Sequence, residues 1–219
     1  MEPIEPSTTR AIIFAGGDIG TRPSPEPDVF VVAADSGWDH AVGLGHHIDL
    51  LVGDLDSISP AGLAAAESSE TTIERHPSDK DDTDFSLALD AVIDRQYSQL
   101  DIYGGEGGRT GHLLGVATAL THERLRNMAI TWHVATGSVH PLVDGGTIEI
   151  NAPVGTTVSL VVLTDCTGVS VEGLLWPLRN DTLKRGSSRG LSNTTNAEQA
   201  CVSIDTGAML VIVEGTPLR

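Results

Sequence analysis

The sequence predicts an α/β domain built on a parallel sheet, followed by an all-β domain that is a sandwich or a barrel. Through residue 135, short apolar runs typical of buried strands alternate with segments whose apolar residues recur at helical spacing. Such an alternation is typical of a parallel sheet with helices on both faces. After residue 137, short β-rich runs separated by turn formers replace this pattern, and no helical periodicity is present.

Six strands and four helices are expected in the α/β domain. The helix after Ser59 has the clearest start, because a hydroxyl N-cap is followed by Pro60 at the first helical position. The other helices are predicted at Trp38–Leu44, at Phe85–Ile93 and over residues 111–124. The predicted strands are Ala11–Ala15, Val29–Ala33, Leu50–Val52, Thr71–Arg75, Leu100–Tyr103 and Ala129–Ala135.

Five strands are predicted in the all-β domain, with turn formers such as Asp144-Gly145-Gly146 between them. They are Thr147–Ile150, Thr157–Leu163, Val169–Val171, Ala200–Ile204 and Met209–Val213. The predicted organisation of the chain is therefore a polar extension over residues 1–10, the α/β domain over 11–139 and the all-β domain over 140–219.

Composition excludes several classes of partner. Among 219 residues, 30 are acidic and 13 are basic, which gives a formal net charge of −17. Nucleic acid and anionic membranes are not expected partners, because both are bound by clustered Lys and Arg. Cys166 and Cys201 form no CxxC pair, and residues 1–10 lack the layout of a signal peptide. We therefore expect a cytoplasmic protein without a zinc site or a disulfide framework.

Acidic residues follow the predicted strands at three separate junctions. Asp35 follows the second strand, Asp54 and Asp56 follow the third, and Asp84 lies just before the Phe85 helix. In a parallel sheet these junctions lie at one edge, so the carboxylates can converge on a hard divalent cation such as Mg²⁺. The alternative is that each Asp caps a helix or a turn. For Asp84 the two interpretations are equally supported by the sequence.

Basic and glycine-rich segments near this edge have two interpretations as well. The run Tyr103-Gly-Gly-Glu-Gly-Gly-Arg-Thr-Gly-His112 follows a strand and opens a helix, where main-chain N–H groups and Arg109 can bind a phosphate. It is equally typical of a plain glycine-rich turn. Gly16-Gly17 gives a weaker signal of the same kind. Lys80 is predicted either to contact a nucleotide phosphate or to form a surface ion pair, and His112 to contact a phosphate or to be structural.

Five motifs together resemble thiamine pyrophosphokinases in order and spacing, over residues 11–215. The two most specific are Gly53-Asp54-Leu55-Asp56-Ser57 and Lys80-Asp81-Asp82-Thr83-Asp84. The remaining three are Ala34-Asp35-Ser36-Gly37, Gly107-Gly108-Arg109-x-x-His112 and Gly190-Leu191-Ser192-Asn193.

The resemblance implies a Rossmann-like α/β domain that binds nucleotide and Mg²⁺, followed by a β-sandwich domain that binds thiamine, in a homodimer with its active site at the subunit interface. It implies transfer of the diphosphate of ATP to the hydroxyl group of thiamine, with release of AMP. Asp54, Asp56 and Asp84 are the implied Mg²⁺ ligands, and together with Arg109 they form the implied catalytic set. The implied nucleotide or phosphate contacts are Gly16, Gly17, Asp35, Lys80, Gly107, Gly108, Arg109 and His112. The implied thiamine contacts are Ser192 and Asn193.

One departure from the family pattern bears on function. The family usually has Arg-x-Asp-His where this chain has Arg109-Thr-Gly111-His112, so a carboxylate is missing at Gly111. Two alternatives to thiamine diphosphokinase therefore stay open at this point. One is a diphosphokinase that acts on another hydroxymethyl heterocycle such as a pterin, and the other is a non-catalytic relative that binds a nucleotide or a thiamine compound.

Overall fold

The structure is a computed structural model that describes residues 10–215, so the predicted polar extension lies outside the described residues except for Arg10. The chain divides into two compact units. The first contains the described residues up to Val116 together with Met128–His133, and the second contains Ala117–Asn127 and the residues from Val134 onward. The functional domain bounds of 11–139 and 140–219 stay a prediction. No helix within residues 10–215 has both the length and the apolar character that a membrane crossing requires.

Six parallel strands form the sheet of the first unit, which confirms the predicted α/β class. Their order across the sheet is β6-β5-β1-β2-β3-β4. Strands β1, β2 and β3 are almost continuously buried, in keeping with their apolar sequences, whereas β4 at the edge of the sheet is mostly exposed. The strand bounds are β1 Arg10–Phe14, β2 Phe30–Ala34, β3 Leu50–Gly53, β4 Thr72–Arg75, β5 Gln99–Tyr103 and β6 Ala129–Val134.

The strand order fixes where a ligand is expected. From β1, the chain continues to β2 on one side, while β5 pairs with β1 on the other side. Strand order therefore reverses at β1, and in open parallel sheets ligands bind beyond the carboxyl ends of the strands at such a reversal. The segments that follow β1, β2, β3 and β5 hold the acidic and glycine-rich motifs.

Four helices connect these strands: α1 Gly37–Gly43, α2 Pro60–Ser68, α3 Asp84–Asp94 and α4 Thr110–Ala119. The start of α2 is confirmed, because Ser59 Oγ accepts a hydrogen bond of 2.9 Å from Gly62 N. The predicted extent of the last helix, to residue 124, is wrong. The Thr121 main-chain N–H and hydroxyl both donate to Thr118 O, and after this tightened turn the chain forms a short 3₁₀ helix at Glu123–Leu125.

The second unit is a sandwich of two antiparallel sheets, with strand orders β12-β9-β14-β7 and β11-β10-β13-β8. Apolar side chains of both sheets, among them Leu160, Val171, Val202 and Met209, share one buried core. The prediction missed β7, β11 and β12. Strand β7 contains Pro141, a residue that is unusual inside strands, whereas β11 is largely polar and β12 has only two residues. The bounds are β7 Gly137–Val143, β8 Thr147–Asn151, β9 Thr157–Val162, β10 Cys166–Glu172, β11 Leu178–Leu183, β12 Asn193–Thr194, β13 Gln199–Ser203 and β14 Ala208–Glu214.

Candidate active site

Three carboxylates meet at the carboxyl edge of the parallel sheet. Each of Asp35, Asp54 and Asp84 offers an oxygen, and these oxygens all lie within 4.8 Å of one another. We call these three residues the acidic triad. The residues come from the end of β2, the end of β3 and the first turn of α3. The predicted convergence of acidic side chains at one edge is therefore present, with Asp35 as a full member of the group.

Main-chain contacts hold Asp35 in place. Its N–H donates to Val52 O at 3.0 Å, which joins the ends of β2 and β3. Its own φ of +48° turns the chain sharply toward α1. The buried carboxylate accepts a hydrogen bond of 3.3 Å from Ser57 N. Burial, followed by repulsion from Asp84, raises the pKa of Asp35 above its usual range.

Asp54 and Asp56 differ in environment although they are two residues apart. Asp54 Oδ1 accepts a hydrogen bond of 3.2 Å from Asp56 N, and this bond is the main cause of a lowered pKa at Asp54. Asp56 is exposed, and its carboxylate accepts a bond of 2.8 Å from Ser57 Oγ. Asp56 does not belong to the acidic triad, so its role as a metal ligand stays a prediction.

Asp84 is not a helix cap. Thr83 caps α3, since its Oγ1 accepts a hydrogen bond of 3.1 Å from Ser86 N. Asp84 Oδ1 is buried, and its close partner among residues 10–215 is the Lys80 ammonium at 2.7 Å, in a geometry outside that of a good hydrogen bond. A buried carboxylate oxygen that already attracts a positive group, close to two further carboxylates, also fits a hard cation that prefers oxygen ligands. The acidic triad is thus chemically suited to Mg²⁺.

Lys80 lies beside two members of the acidic triad. Its Nζ is 2.7 Å from Asp84 Oδ1 and 3.9 Å from Asp54 Oδ2. The Lys80 side chain is only 14% exposed, so this is not the fully solvated surface pair considered from the sequence. This close contact with Asp84 is the main cause of the raised pKa of Lys80. A contact from Lys80 to a phosphate stays a prediction.

The two glycine-rich turns lie side by side at the same edge. Gly105 N donates to Gly16 O at 2.7 Å, and Asp18 N donates to Glu106 O at 2.8 Å. A Cβ at Gly17, whose φ is +94°, would lie 2.2 Å from Glu106 O, so this approach requires glycine. The turns that follow β1 and β5 therefore form one wall of main-chain groups.

A cleft of about 570 Å³ opens between this wall and the acidic triad. Arg109 and His112, at the start of α4, are exposed and line it. Gly111 also lines it, and a Cβ at this position would meet no atom within 4 Å. Other predicted residues in the lining are Gly16, Gly17, Asp35, Asp54, Asp56, Lys80, Asp84, Gly107 and Gly108.

Seven further polar residues line the cleft although the sequence analysis gave them no role in the site. They are Ser36, Ser57, Ser78, Asp82, Thr83, Ser86 and Glu106. Ser36 directly follows Asp35, and Ser57 directly follows Asp56. This adjacency to predicted site residues was the sequence signal that could have identified both serines. Ser78 is one of the groups that lower the pKa of Asp54, yet its place two residues before Lys80 gave no sign of that contact.

Ser192 and Asn193 lie in the second unit, in the segment that enters β12. Ser192 is exposed with a φ of +56°, and its N–H donates to Ser159 Oγ at 3.0 Å. Asn193 is buried, and its carboxamide bonds to main-chain groups. Its Nδ2 donates to Trp176 O at 2.8 Å, while its Oδ1 accepts from Trp176 N and Thr194 N. The thiamine contacts predicted for both residues stay predictions.

Two family models match most of the chain. The model described as thiamin pyrophosphokinase, catalytic domain, matches residues 26–132. The model described as thiamin pyrophosphokinase, vitamin B1 binding domain, matches residues 147–210. The first match contains the whole acidic triad, and the second contains Ser192 and Asn193.

Individual relatives agree with these matches. The chain is 25% identical to thiamine pyrophosphokinase of Bacillus subtilis (strain 168) over 162 residues, which are 73% of this chain and 75% of that protein. A crystal structure of the Bacillus subtilis thiamine pyrophosphokinase superposes with a TM-score of 0.81 at 23% identity, covering 94% of this chain and 98% of that chain. The structure of a thiamin pyrophosphokinase family protein from Enterococcus faecalis gives a TM-score of 0.80 at 28% identity, with coverages of 94% and 99%.

Proposed function

Since this chain belongs to the thiamine pyrophosphokinase family, we propose that it is a thiamine diphosphokinase, which transfers the diphosphate of Mg-ATP to the hydroxyl group of thiamine and releases AMP. Family membership implies a kinase-type transferase. The finer statement rests chiefly on one observation, the meeting of the acidic triad beside a glycine-walled cleft. Cytoplasmic location and a homodimer with its active site at the subunit interface belong to the same proposal.

In this proposal, Asp54, Asp56 and Asp84 hold Mg²⁺, with Asp35 as a further buried carboxylate beside them. Mg²⁺ supplies positive charge that neutralises the phosphate oxygens as AMP departs. The close carboxylates repel one another, and this repulsion favours the binding of a divalent cation. Asp54 is suited to such a role at neutral pH because the N–H of Asp56 keeps its pKa low.

The glycine-rich wall and the start of α4 bind the triphosphate in this proposal. Main-chain N–H groups near Gly107 and Gly108, together with the positive end of the α4 dipole, favour an anion. Arg109 is exposed on the cleft, so its guanidinium can donate two parallel hydrogen bonds to phosphate oxygens. Gly16, Gly17, Lys80 and His112 complete the proposed nucleotide contacts.

The reaction itself joins the thiamine hydroxyl oxygen to the β-phosphorus of ATP and breaks the bond between that phosphorus and the oxygen that leaves with AMP. A carboxylate of the cleft accepts the hydroxyl proton. Ser192 and Asn193 of the β-sandwich domain are the proposed thiamine contacts. The net charge of −17 favours the approach of thiamine, which is a cation.

Incubation with Mg-ATP and an acceptor tests this function. With thiamine, we expect AMP and thiamine diphosphate in equal amounts, and with a hydroxymethylpterin we expect neither. AMP formed only with the pterin would show a diphosphokinase with a different acceptor. Binding of nucleotide or thiamine without any AMP would show a non-catalytic relative.

The missing carboxylate at Gly111 supports that last alternative and gives a separate prediction. A Gly111→Asp variant is expected to fold normally, since there is open space around the position and Asp is favourable in the first turn of a helix. If the missing carboxylate limits turnover, AMP formation with thiamine will rise about tenfold or more, within the range of one added acid or base group. A Thr110→Asp variant, which adds the same charge at an exposed residue of the first turn of α4 that does not line the cleft, is the matched control. Equal rates for Gly111→Asp and the unaltered chain would show that this carboxylate is dispensable here.

A further inference from the structure

Lys80 is the single positive group that the structure brings against the acidic triad among residues 10–215. Its ammonium lies 2.7 Å from Asp84 Oδ1 and 3.9 Å from Asp54 Oδ2. We propose that Lys80 is the resident counterion of the acidic triad and competes with the divalent cation for these carboxylates, in addition to any contact that it makes with a phosphate. The proposal rests on the proposed function only in that it requires the acidic triad to bind a metal ion.

Charge balance within the acidic triad supports this role. Three carboxylate oxygens within 4.8 Å repel one another strongly when their solvent is partly removed. Lys80 supplies one positive charge close to two of them, and its side chain is only 14% exposed, so water weakens the attraction little. The ammonium thus stabilises the arrangement of carboxylates before a metal ion is bound.

A divalent cation and Lys80 cannot both hold Asp84 without cost. A cation on the acidic triad would place two positive groups against the carboxylate that Lys80 already contacts. The flexible four-carbon stem of a lysine allows its ammonium to move, and Lys80 lines the same cleft as Arg109 and Gly108. Release of Lys80 from Asp84 would therefore send a positive charge toward the part of the cleft where the phosphates are proposed to bind.

The chain contains a matched control for this proposal. Lys184 is the only other lysine, and it also forms an ion pair, with Nζ 2.9 Å from Asp165 Oδ2. This pair is solvated, since the Lys184 side chain is 72% exposed, and it lies in the β-sandwich unit. Removing the charge at Lys184 changes the net charge of the chain as much as removing it at Lys80, without touching the acidic triad.

Titration of the full chain with Mn²⁺ alone, followed by electron paramagnetic resonance of the free ion, tests the competition. Lys80→Met is expected to lower the dissociation constant for Mn²⁺ by about tenfold or more, because the competing positive charge is gone. Lys184→Met is expected to leave it within about twofold, as for a distant solvated charge. Lys80→Arg, which keeps the charge, is expected to bind Mn²⁺ much as the unaltered chain does.

The melting temperature is a second measurement of the competition, and it does not depend on enzyme activity. In EDTA, Lys80→Met should melt below the unaltered chain, and saturating Mn²⁺ should raise its melting temperature by more than it raises that of the unaltered chain. If Lys80→Met does not fold, Lys80→Gln is measured in its place. Unchanged or weaker Mn²⁺ affinity in the uncharged variant would overturn the competition while leaving the proposed diphosphokinase intact. No Mn²⁺ binding by any variant would overturn both the competition and the proposed metal site.

Discussion

Asp54→Asn is expected to lower the rate of AMP formation from Mg-ATP and thiamine by about a thousandfold or more, a loss typical of removing a charged group that acts on the transition state. Asparagine keeps the size of the side chain and an oxygen that can accept the 3.2 Å hydrogen bond from Asp56 N. The substitution removes the negative charge, which is the main source of a carboxylate's attraction for a divalent cation. The melting temperature should therefore change little while turnover is lost.

Asp79→Asn is the matched control for this experiment. Asp79 is exposed, lies next to Lys80 and does not line the cleft, so its neutralisation changes the net charge equally without affecting the acidic triad. We expect this variant to turn over at close to the unaltered rate. If Asp54→Asn retained comparable turnover, Asp54 could not be a metal ligand, and the proposed role of the acidic triad would have to be abandoned.

The sequence predicted that the acidic residues would converge at one edge of the sheet, but it did not predict which of them would lie closest together. The apolar runs before Asp35 and Asp54 identified two strand ends, and parallel sheets place such ends at one edge, so convergence of the acidic residues could be predicted. The identity of the three carboxylates that lie closest together could not be predicted in this way. Membership of Asp35 depends on its φ of +48° and on the bond from its N–H to Val52 O, and neither is visible in residue type.

Strands β11 and β12 were not predicted for a similar physical reason, because the contacts that form them are not visible as a pattern of residue types. Strand β11, Leu178–Leu183, has a largely polar sequence in which only the terminal leucines are buried, so it lacks the apolar alternation that signals a strand. Strand β12 has two residues, and the bonds that the Asn193 carboxamide makes join it to a segment seventeen residues earlier in the chain. A side chain that bonds to distant main-chain groups leaves no periodic pattern in the sequence.

Gly53→Ala is expected to reduce turnover by about a hundredfold, the size of effect that follows when reacting or ligating groups are displaced by about 1 Å. Gly53 ends β3 with a φ of +146°, directly before Asp54. A Cβ there would lie 3.0 Å from Asp84 Oδ1 and 3.3 Å from Asp35 Cβ, so a single methyl group crowds two members of the acidic triad. The variant should also lose about 1–2 kcal/mol of stability from backbone strain.

Gly155→Ala separates the strain from the crowding. Gly155 has a φ of +95°, and a Cβ at this position would meet no atom within 4 Å, so alanine there strains the backbone in open space. We expect a comparable drop in melting temperature for Gly155→Ala with turnover close to normal, measured by calorimetry and by AMP release on the same samples. Mn²⁺ affinity should fall for Gly53→Ala alone, because only that variant displaces the carboxylates. Equal turnover and equal Mn²⁺ affinity in the two variants would mean that the acidic triad tolerates displacement, which is incompatible with direct metal ligation by closely spaced oxygens.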